Sequence, residues 1–316
     1  MLKRAVGRNS RHFYKGDIVE VRSESEIRVT LDVQGNLEGL PFMPEMVKFC
    51  GRRCRVLGRL EKVYLDGHRF IGRLTDTVML EEVRCDGAAH GGCQVGCIAL
   101  WKERWLKAAQ GEPNPPPVTL LPVIHGATPC GGDGTFSCQA TELVRAVVRI
   151  SPLAVWRYTR DYLWGERSLG QLLKIVVLMA VNKIRRRLRM PLYGSTRGHL
   201  QKTPEVSLQL QPGDMVRVKS REEIRATLDH LGRNRGLVFT PDMVRFCGQT
   251  FRVARRMERA VIDFSGQMRQ FNNTVALESV HCSGIPLGGC GRRCYHLWRE
   301  AWLDKVDMPR VNPAPK

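Results

Sequence analysis

The chain carries one pattern twice, at positions 197 residues apart. GGCQVGCIALWKERWL at 91–106 returns as GGCGRRCYHLWREAWL at 288–303, with its cysteines and tryptophans in the same register. The offset holds without a gap between residues 13–107 and 210–304, which identifies a duplicated domain. The two copies are called repeat 1 and repeat 2. A chain of 316 residues, 43% hydrophobic and 26% charged, has enough apolar material for a core in each repeat.

The duplication also sets the domain boundaries. Proline-rich GEPNPPPVTLLP leaves repeat 1, and a polar stretch punctuated by glycine and proline leads into repeat 2. The apolar, arginine-bearing stretches between them predict helices. The expected organisation is repeat 1 at 13–107, a linker at 108–138, a helical connector at 139–190, a linker at 191–209, repeat 2 at 210–304 and a tail at 305–316.

Each repeat begins with a strand pattern and ends with a pattern that suggests a helix. GDIVEV and GDMVRV alternate apolar and polar residues behind a Gly-Asp turn. A Ser-x-x-Glu capping box then predicts a short helix, and two tryptophans four residues apart predict a terminal helix with both rings in the core. These residues are Ser23/Glu26 and Ser220/Glu223 for the caps, and Trp101/Trp105 and Trp298/Trp302 for the core. We expect an α+β fold with two duplicated small β-barrel modules of SH3-like size, each with a terminal helix.

Four cysteines in each repeat are mirrored, with the spacing C-x34-C-x7-C-x3-C. They are Cys50, Cys85, Cys93 and Cys97 in repeat 1, and Cys247, Cys282, Cys290 and Cys294 in repeat 2. The N-terminal stretch lacks the apolar region of a secretory signal, so we expect a cytoplasmic location, where metal ligands or free thiols outnumber disulfides. Four thiolates close a tetrahedral structural site, so the pattern predicts zinc, two ions per chain. Free core cysteines, disulfides or an iron–sulfur cluster are the alternatives.

The histidines do not follow the duplication. His90 and His281 have counterparts of other types, which predicts surface side chains rather than ligands. Cys54 has Phe251 as its counterpart, so we expect it to be an apolar core residue.

Two further cysteines lie outside the repeats. Cys130 and Cys138 are near His125 in the sequence, a combination that permits a third metal site. Thiols in or under a loop are the alternative interpretation.

Basic residues outnumber acidic ones by 50 to 31, which gives a formal net charge of +19. An excess of this size favours an anionic partner, which can be nucleic acid, an anionic membrane surface or an acidic protein. The candidate polyanion-binding residues are Arg52, Arg53, Arg252, Arg255, Arg292, Arg293, Arg185, Arg186 and Arg187.

The stretch SLGQLLKIVVLMAVNKIRRRLRM, residues 168–190, combines a wide apolar face with a basic end. Lys174 interrupts the apolar run, which is too short and too polar for a transmembrane span. We expect a helix buried between the two modules. A membrane-surface helix and a nucleic-acid-binding arm are the alternatives.

The combination of GD-x-V, FCG, C-x7-C-x3-C and W-x-E-x-WL resembles a bacterial family of uncharacterised proteins with tandem domains. The resemblance covers both repeats; it implies the duplication and attaches no activity. The Gly-Asp strand start and the later glycine-turn-strand pattern also resemble SH3-like barrels.

The sequence contains no nucleophile elbow, phosphate loop, dinucleotide fingerprint or HExxH motif. The expected function is therefore non-enzymatic: two zinc-stapled modules bind a polyanion, nucleic acid above all, with avidity raised by duplication. The first alternative is a membrane-associated scaffold for a biosynthetic or assembly complex, placed peripherally on the inner membrane face. The second is an enzyme with a site in the middle segment, near Cys138, Glu142 and His125.

Overall fold

Strands dominate both repeats, as the alternating patterns predict. The computed structural model describes residues 12–68, 70–114, 134–150 and 157–306. Repeat 1 holds β1 (Ile18–Val21), α1 (Glu24–Arg28), β2 (Asn36–Leu37), β3 (Leu40–Pro41), β4 (Arg53–Arg59), β5 (Lys62–Leu65), β6 (Phe70–Arg73), β7 (Thr77–Arg84), β8 (Ile98–Lys102) and β9 (Leu106–Ala108). The region between the repeats holds α2 (Gln139–Ala146), β10 (Val148–Arg149), α3 (Arg157–Leu163) and α4 (Leu169–Arg187).

Repeat 2 reproduces the elements of repeat 1 in the same order. It holds β11 (Met215–Val218), α5 (Arg221–Arg225), β12 (Arg233–Asn234), β13 (Leu237–Val238), β14 (Thr250–Arg256), β15 (Arg259–Val261), β16 (Met268–Gln270), β17 (Thr274–His281), β18 (Tyr295–Arg299) and β19 (Leu303–Lys305). The 3-10 helices are Pro44–Phe49, Glu103–Trp105, Pro241–Phe246, Ile285–Leu287 and Glu300–Trp302.

Each repeat is built around one curled, five-stranded antiparallel sheet. The strand order is β8-β7-β4-β1-β9 in repeat 1 and β18-β17-β14-β11-β19 in repeat 2. Register shifts fall at equivalent places, between Val56 and Gly58 in β4 and between Val253 and Arg255 in β14. Such irregularities bend a strand and increase its twist, so both sheets curl into half-barrels at the same point. The expectation of duplicated β modules in an α+β fold is confirmed.

The short helices begin where the capping boxes place them. The Ser23 hydroxyl accepts a hydrogen bond from the backbone of Glu26, and the Glu26 carboxylate accepts one from the backbone of Ser23. Ser220 and Glu223 make the same reciprocal pair at the start of α5.

The predicted terminal helices are wrong, because the closing segments are strands. β8 pairs with β7, a 3-10 turn at Glu103–Trp105 follows, and β9 pairs with β1 at the other edge of the sheet. The turn redirects the chain so that Trp101 and Trp105 both enter the core, where they are fully buried, as are Trp298 and Trp302. β8 is buried along its whole length, so its sequence lacks the alternation that marks a half-exposed strand. The expectation that the tryptophans are core residues is confirmed.

The region between the repeats divides into two parts. α2 places Ala140 and Leu143 in the core of repeat 1, and β10 extends the β5–β6 hairpin of that repeat. α2 and β10 therefore pack as part of repeat 1.

The second part, α3 and α4, contacts both repeats. Asp161 in α3 accepts a hydrogen bond from Nζ of Lys62 in repeat 1 at 2.6 Å, and Glu166, between the two helices, accepts one from the backbone of Arg59 at 2.8 Å. α4 lies against the Ile285–Leu287 turn of repeat 2.

Arg167, just before α4, donates hydrogen bonds to three carbonyl oxygens of the Ser283–Cys290 loop at 3.1–3.3 Å. Within α4 the buried residues are Leu172 and Ile175, and most of the remaining side chains are exposed. The expectation of a helix buried between the modules is therefore wrong. Within the described residues, every helix is too short or too polar to cross a bilayer.

The two repeats pack through equivalent surfaces. The backbone N–H of Gln94 donates to the carbonyl of Arg259 at 3.1 Å, and its counterpart Gly291 donates to the carbonyl of Lys62 at 2.9 Å. Because this contact recurs with the roles of the repeats exchanged, an approximate two-fold axis runs between them.

Some residues near this axis meet their own counterparts. The pairs are Arg84 with His281, Gly67 with Phe264, and Cys97 with Cys294. Nη2 of Arg84 lies 2.9 Å from Nε2 of His281. A Cβ atom added to Gly67 would lie 2.2 Å from the Cβ of Phe264, so only glycine fits there.

Candidate metal centre

The four mirrored cysteines of each repeat do not converge on one point. All eight lie in the described part of the chain, and in neither repeat are three of the four sulfurs within 4.8 Å of one another. Cys50 ends the first 3-10 helix with Glu24 as a charged neighbour, and Cys247 ends its equivalent. Cys93 instead accepts a hydrogen bond from the backbone of Val261 in repeat 2, at 3.4 Å. The structure therefore does not assemble the four-thiolate arrangement that the spacing predicts.

Cys85 meets a carboxylate and an imidazole instead. Its Sγ lies 3.2 Å from Oε1 of Glu45 and 3.3 Å from Nε2 of His90. Glu45 comes from the 3-10 helix after β3, Cys85 follows β7, and His90 lies in the loop before β8. We call these three residues the repeat-1 cluster. The side chains of Glu45 and His90 are only 6% and 3% exposed, so the expectation that His90 is a surface residue is wrong.

Two polar atoms of the repeat-1 cluster have no hydrogen-bond partner among the described residues. Oε2 of Glu45 and Nδ1 of His90 are both buried and unpaired. Leaving such an atom buried without a partner costs about 1–3 kcal/mol, so the free energy of folding favours anything that supplies one.

Repeat 2 holds a corresponding group, the repeat-2 cluster, formed by Asp242, Cys282 and His296. The carboxylate and the thiol are counterparts of those in repeat 1, but the histidine comes from β18, where repeat 1 has Ala99. Asp242 accepts hydrogen bonds from Nε2 of His296 at 3.1 Å, the backbone of Ser283 at 2.7 Å and the Ser283 hydroxyl at 2.6 Å. Burial raises the pKa of Asp242, but these hydrogen bonds outweigh it and lower the pKa to about 2.

One substitution accounts for part of the difference between the two carboxylates. In repeat 1, Asp86 binds Nζ of Lys48 at 2.5 Å. Repeat 2 has Ser283 at that position, and its hydroxyl donates to the cluster carboxylate. The counterpart of Lys48, Arg245, then lies 3.4 Å from the same carboxylate. In repeat 1, Lys48 thus forms an ion pair with Asp86, and no serine hydroxyl stands at position 86 to donate a hydrogen bond to Glu45.

A cavity of about 40 Å³ adjoins the repeat-1 cluster and lies between the two repeats. All three residues of the cluster line it, and so do the thiols of Cys93, Cys97, Cys138 and Cys294. The ion pair of Arg292 with Asp263, 2.6 Å between Nη1 and Oδ2, borders it from repeat 2. The volume accommodates water or a small ion but no organic substrate of ordinary size.

Burial keeps the thiols around this cavity protonated. It raises the pKa of Cys85, with Glu45 and Cys97 adding to the shift, and it raises the pKa of Cys138 to about 11. A protonated, enclosed thiol is a poor nucleophile, whereas a bound metal ion deprotonates a coordinating thiol outright.

Most of the arginines predicted to bind a polyanion are half-buried. Two are engaged at the contact between the repeats: Arg255 donates to the carbonyl of Gln94 at 3.3 Å, and Arg292 pairs with Asp263. By exposure, the nine divide into the half-buried Arg52, Arg53, Arg255, Arg292, Arg293 and Arg185 and the exposed Arg252, Arg186 and Arg187. The exposed ones are thus concentrated at the end of α4.

The remaining cysteines have separate locations. Cys54 is buried in the repeat-1 core, which confirms the expectation for it. Cys138 is buried at the start of α2. Cys130 and His125, the other members of the predicted third site, lie outside the described residues.

Sequence reasoning missed His90 and His296 because it kept only residues that recur at the same offset. The usable signal was local: His90 lies between Cys85 and Cys93 in one glycine-rich loop. No family model, curated protein or solved structure matches this chain. Function has to be inferred from the chain's own geometry.

Proposed function

We propose that the protein binds peripherally to an anionic membrane surface through α4, which attaches the two-repeat body to the lipid. The observation that carries this proposal is the exposed apolar stripe of α4 beside a basic C-terminal end. This function corresponds to the membrane-associated scaffold, which the sequence offered as an alternative to nucleic-acid binding.

The apolar stripe lies on the side of α4 opposite its contact with repeat 2. Leu172 and Ile175 face the protein. The exposed apolar side chains recur at helical spacing and share one face about 120° wide. They are Leu169, Leu173, Val176, Val177, Ile184 and, at the C-cap, Leu188. Leu169 and Leu173 are 62% and 66% exposed, which is unusual for neighbouring leucines on one face.

The positive charge is concentrated in the same region. Residues 139–190 contain eleven Lys and Arg against three Asp and Glu, whereas repeat 1 contains fifteen against fourteen. Five of the eleven fall within 183–189, at the C-terminal end of α4. Repeat 2 contains fifteen Lys and Arg against ten Asp and Glu, so the surplus of positive charge is eight in residues 139–190, five in repeat 2 and one in repeat 1. Binding of a polyanion by both modules would favour a more even division between the repeats.

A helix with these properties suits the interface of a bilayer. Its 19 residues span roughly 28 Å. Lying flat, it can bury the apolar stripe among acyl chains while its basic end meets lipid phosphates, each Lys or Arg contributing about 1 kcal/mol near an anionic surface. Nucleic acid would use the basic end but leave the apolar stripe in water.

The body that α4 would attach consists of the two curled-sheet modules. Their short strands and bulged central strand support an SH3-like barrel as a further part of the proposal. Modules of this kind present loops to protein partners, which fits a scaffold.

Vesicle sedimentation of the full chain tests the proposal. We expect binding to vesicles of phosphatidylcholine with phosphatidylglycerol, little binding to phosphatidylcholine alone, and weakening by salt. Replacing Leu173, Val177 and Ile184 together by Gln should weaken binding at least about tenfold, since each loses its burial in the acyl region. Val29→Gln with Val33→Gln is the matched control, because both valines are exposed on repeat 1.

Equal binding by the stripe variant and the control would overturn the proposal. So would salt-sensitive binding to DNA or RNA in the absence of any binding to anionic vesicles, which would favour the nucleic-acid interpretation.

A further inference from the structure

We propose that the repeat-1 cluster binds one divalent ion of the Zn²⁺ class through Cys85, Glu45 and His90, and that the repeat-2 cluster binds none. The ligands differ from the four thiolates expected from the sequence, and the stoichiometry is one ion per chain instead of two. The proposal is independent of membrane binding.

The ligand atoms are already close to metal-binding separations. Bonds of about 2.0–2.3 Å to a tetrahedral Zn²⁺ place its ligand atoms about 3.3–3.6 Å apart. Sγ of Cys85 lies 3.2 Å from Oε1 of Glu45 and 3.3 Å from Nε2 of His90, and the three ligand atoms lie within 4.8 Å of one another. Two of the three separations are thus already close to those around a bound ion. A thiolate, an imidazole and a carboxylate form a mixed sulfur, nitrogen and oxygen set, which suits zinc better than magnesium or calcium.

The unpaired atoms point to a missing ligand. Glu45 and His90 are more than nine-tenths buried, and each has one side-chain atom without a hydrogen-bond partner among the described residues. A cation beside Glu45 gives this buried carboxylate the counter-charge that it lacks. With Nε2 of His90 as the ligand, the proton of the neutral imidazole lies on Nδ1, 3.7 Å from Oε1 of Glu45.

The charges balance once the thiol ionises. Binding releases the Cys85 proton to solvent, and the resulting thiolate and the Glu45 carboxylate together neutralise the two charges of the ion. His90 contributes as the neutral imidazole. The buried site therefore carries no net charge after binding.

The cavity between the repeats has room for a fourth ligand. The three ligands lie on its wall, and its volume of about 40 Å³ exceeds what a water molecule requires. Three protein ligands leave the fourth position to water, and the small enclosed space has no room for an organic substrate beside the ion.

The repeat-2 cluster also combines a carboxylate, a thiol and an imidazole, but it has an aspartate in place of the glutamate and lacks the unpaired atoms. Three hydrogen bonds from Ser283 and His296, together with Arg245, already satisfy the Asp242 carboxylate. A metal ion would have to break these bonds and would sit beside a guanidinium group. The remaining candidate group, His12 with Asp76 and Glu103, is also engaged, because Glu103 pairs with the buried Arg59.

Zinc content and affinity of the full chain test the proposal. We expect one Zn²⁺ per chain by elemental analysis after dialysis against free Zn²⁺. Cys85→Ser, His90→Gln and Glu45→Gln should each weaken Zn²⁺ binding, measured by chelator competition, by more than the roughly tenfold that loss of an outer-shell partner costs. Cys282→Ser, His296→Gln and Cys50→Ser are the matched controls and should leave the affinity unchanged.

A measurement on the wild-type chain covers the case in which a variant fails to fold. Chelator should accelerate hydrogen exchange in residues 85–97 and leave 282–294 unaffected. Two ions per chain, none, or loss of binding in Cys50→Ser would overturn the proposal.

Discussion

The two acid–thiol–imidazole clusters occupy the same place in two copies of one module, yet their polar atoms are satisfied differently. In repeat 2 the carboxylate accepts three hydrogen bonds and has an arginine nearby. In repeat 1 the carboxylate and the imidazole each keep an unpaired buried atom. One cause is a neighbour outside the cluster, Asp86 in one repeat and Ser283 in the other. A second is the position of the histidine, because His296 donates to its carboxylate. Identical ligand types can therefore serve structure in one copy and binding in the other, depending on the donors beside them.

The largest expected difference between the two clusters is in the free energy of unfolding when each carboxylate is replaced by an amide. We expect Asp242→Asn to lower the free energy of unfolding by about 2–3 kcal/mol, since an amide cannot accept all three hydrogen bonds that the carboxylate accepts. Glu45→Gln in chelator-treated protein should change it by less than about 1 kcal/mol, because the replaced carboxylate is incompletely paired. Denaturant unfolding monitored by hydrogen exchange in each repeat measures both. Equal losses would mean that the two carboxylates are satisfied to the same degree.

The next largest expected difference is in how the stability of the two repeats depends on pH. The pKa of Asp242 is about 2 in the folded protein against an ordinary value of 3.8, so the unfolded chain binds a proton more readily than the folded one. This carboxylate therefore contributes about 2 kcal/mol at neutral pH, fully present above pH 3.8 and lost as the pH falls through 2. Unfolding free energies between pH 5 and 2 should fall less steeply for Asp242→Asn than for the wild type. Parallel curves would contradict the assignment.

The smallest effect concerns the neighbour that distinguishes the two clusters. Asp86→Ser gives repeat 1 the hydroxyl of repeat 2 and releases Lys48 from its ion pair, so Glu45 gains competing donors. We expect Zn²⁺ affinity to fall about tenfold, the lower end of the effect of outer-shell changes. Asp66→Ser, which removes an exposed carboxylate in the β5–β6 turn, is the control and should leave affinity unchanged. An unchanged affinity in Asp86→Ser would show that position 86 does not control the cluster.

Features that depend on local chemistry could be predicted from the sequence. The duplication, the caps at Ser23 and Ser220 and the core position of the tryptophans follow from spacing and from donors that must be satisfied nearby. The sequence also indicated a site near the mirrored cysteines, and Cys85 and Cys282 are members of the two clusters.

Features that depend on tertiary packing could not be predicted from the sequence. β8 is buried on both faces, so its pattern gives no period to separate a strand from a helix. His90 and His296 reach equivalent carboxylates from different loops and strands, which only the fold brings together. The apolar face of α4 was visible in the sequence, but amphipathicity does not reveal whether a face meets protein or remains exposed.

The contact between the repeats at the two-fold axis requires that the two copies differ in sequence. In a pair of identical modules, a residue at the axis would have to meet itself. Two copies of Arg84 would bring like charges together, and two of Phe264 would collide where Gly67 now admits one ring. Neither repeat could form this contact with a copy of itself, so a single repeat expressed alone should lack the interface and the cavity that it encloses. Covalent linkage has allowed the halves to become complementary, in the way that the two subunits of a heterodimer are.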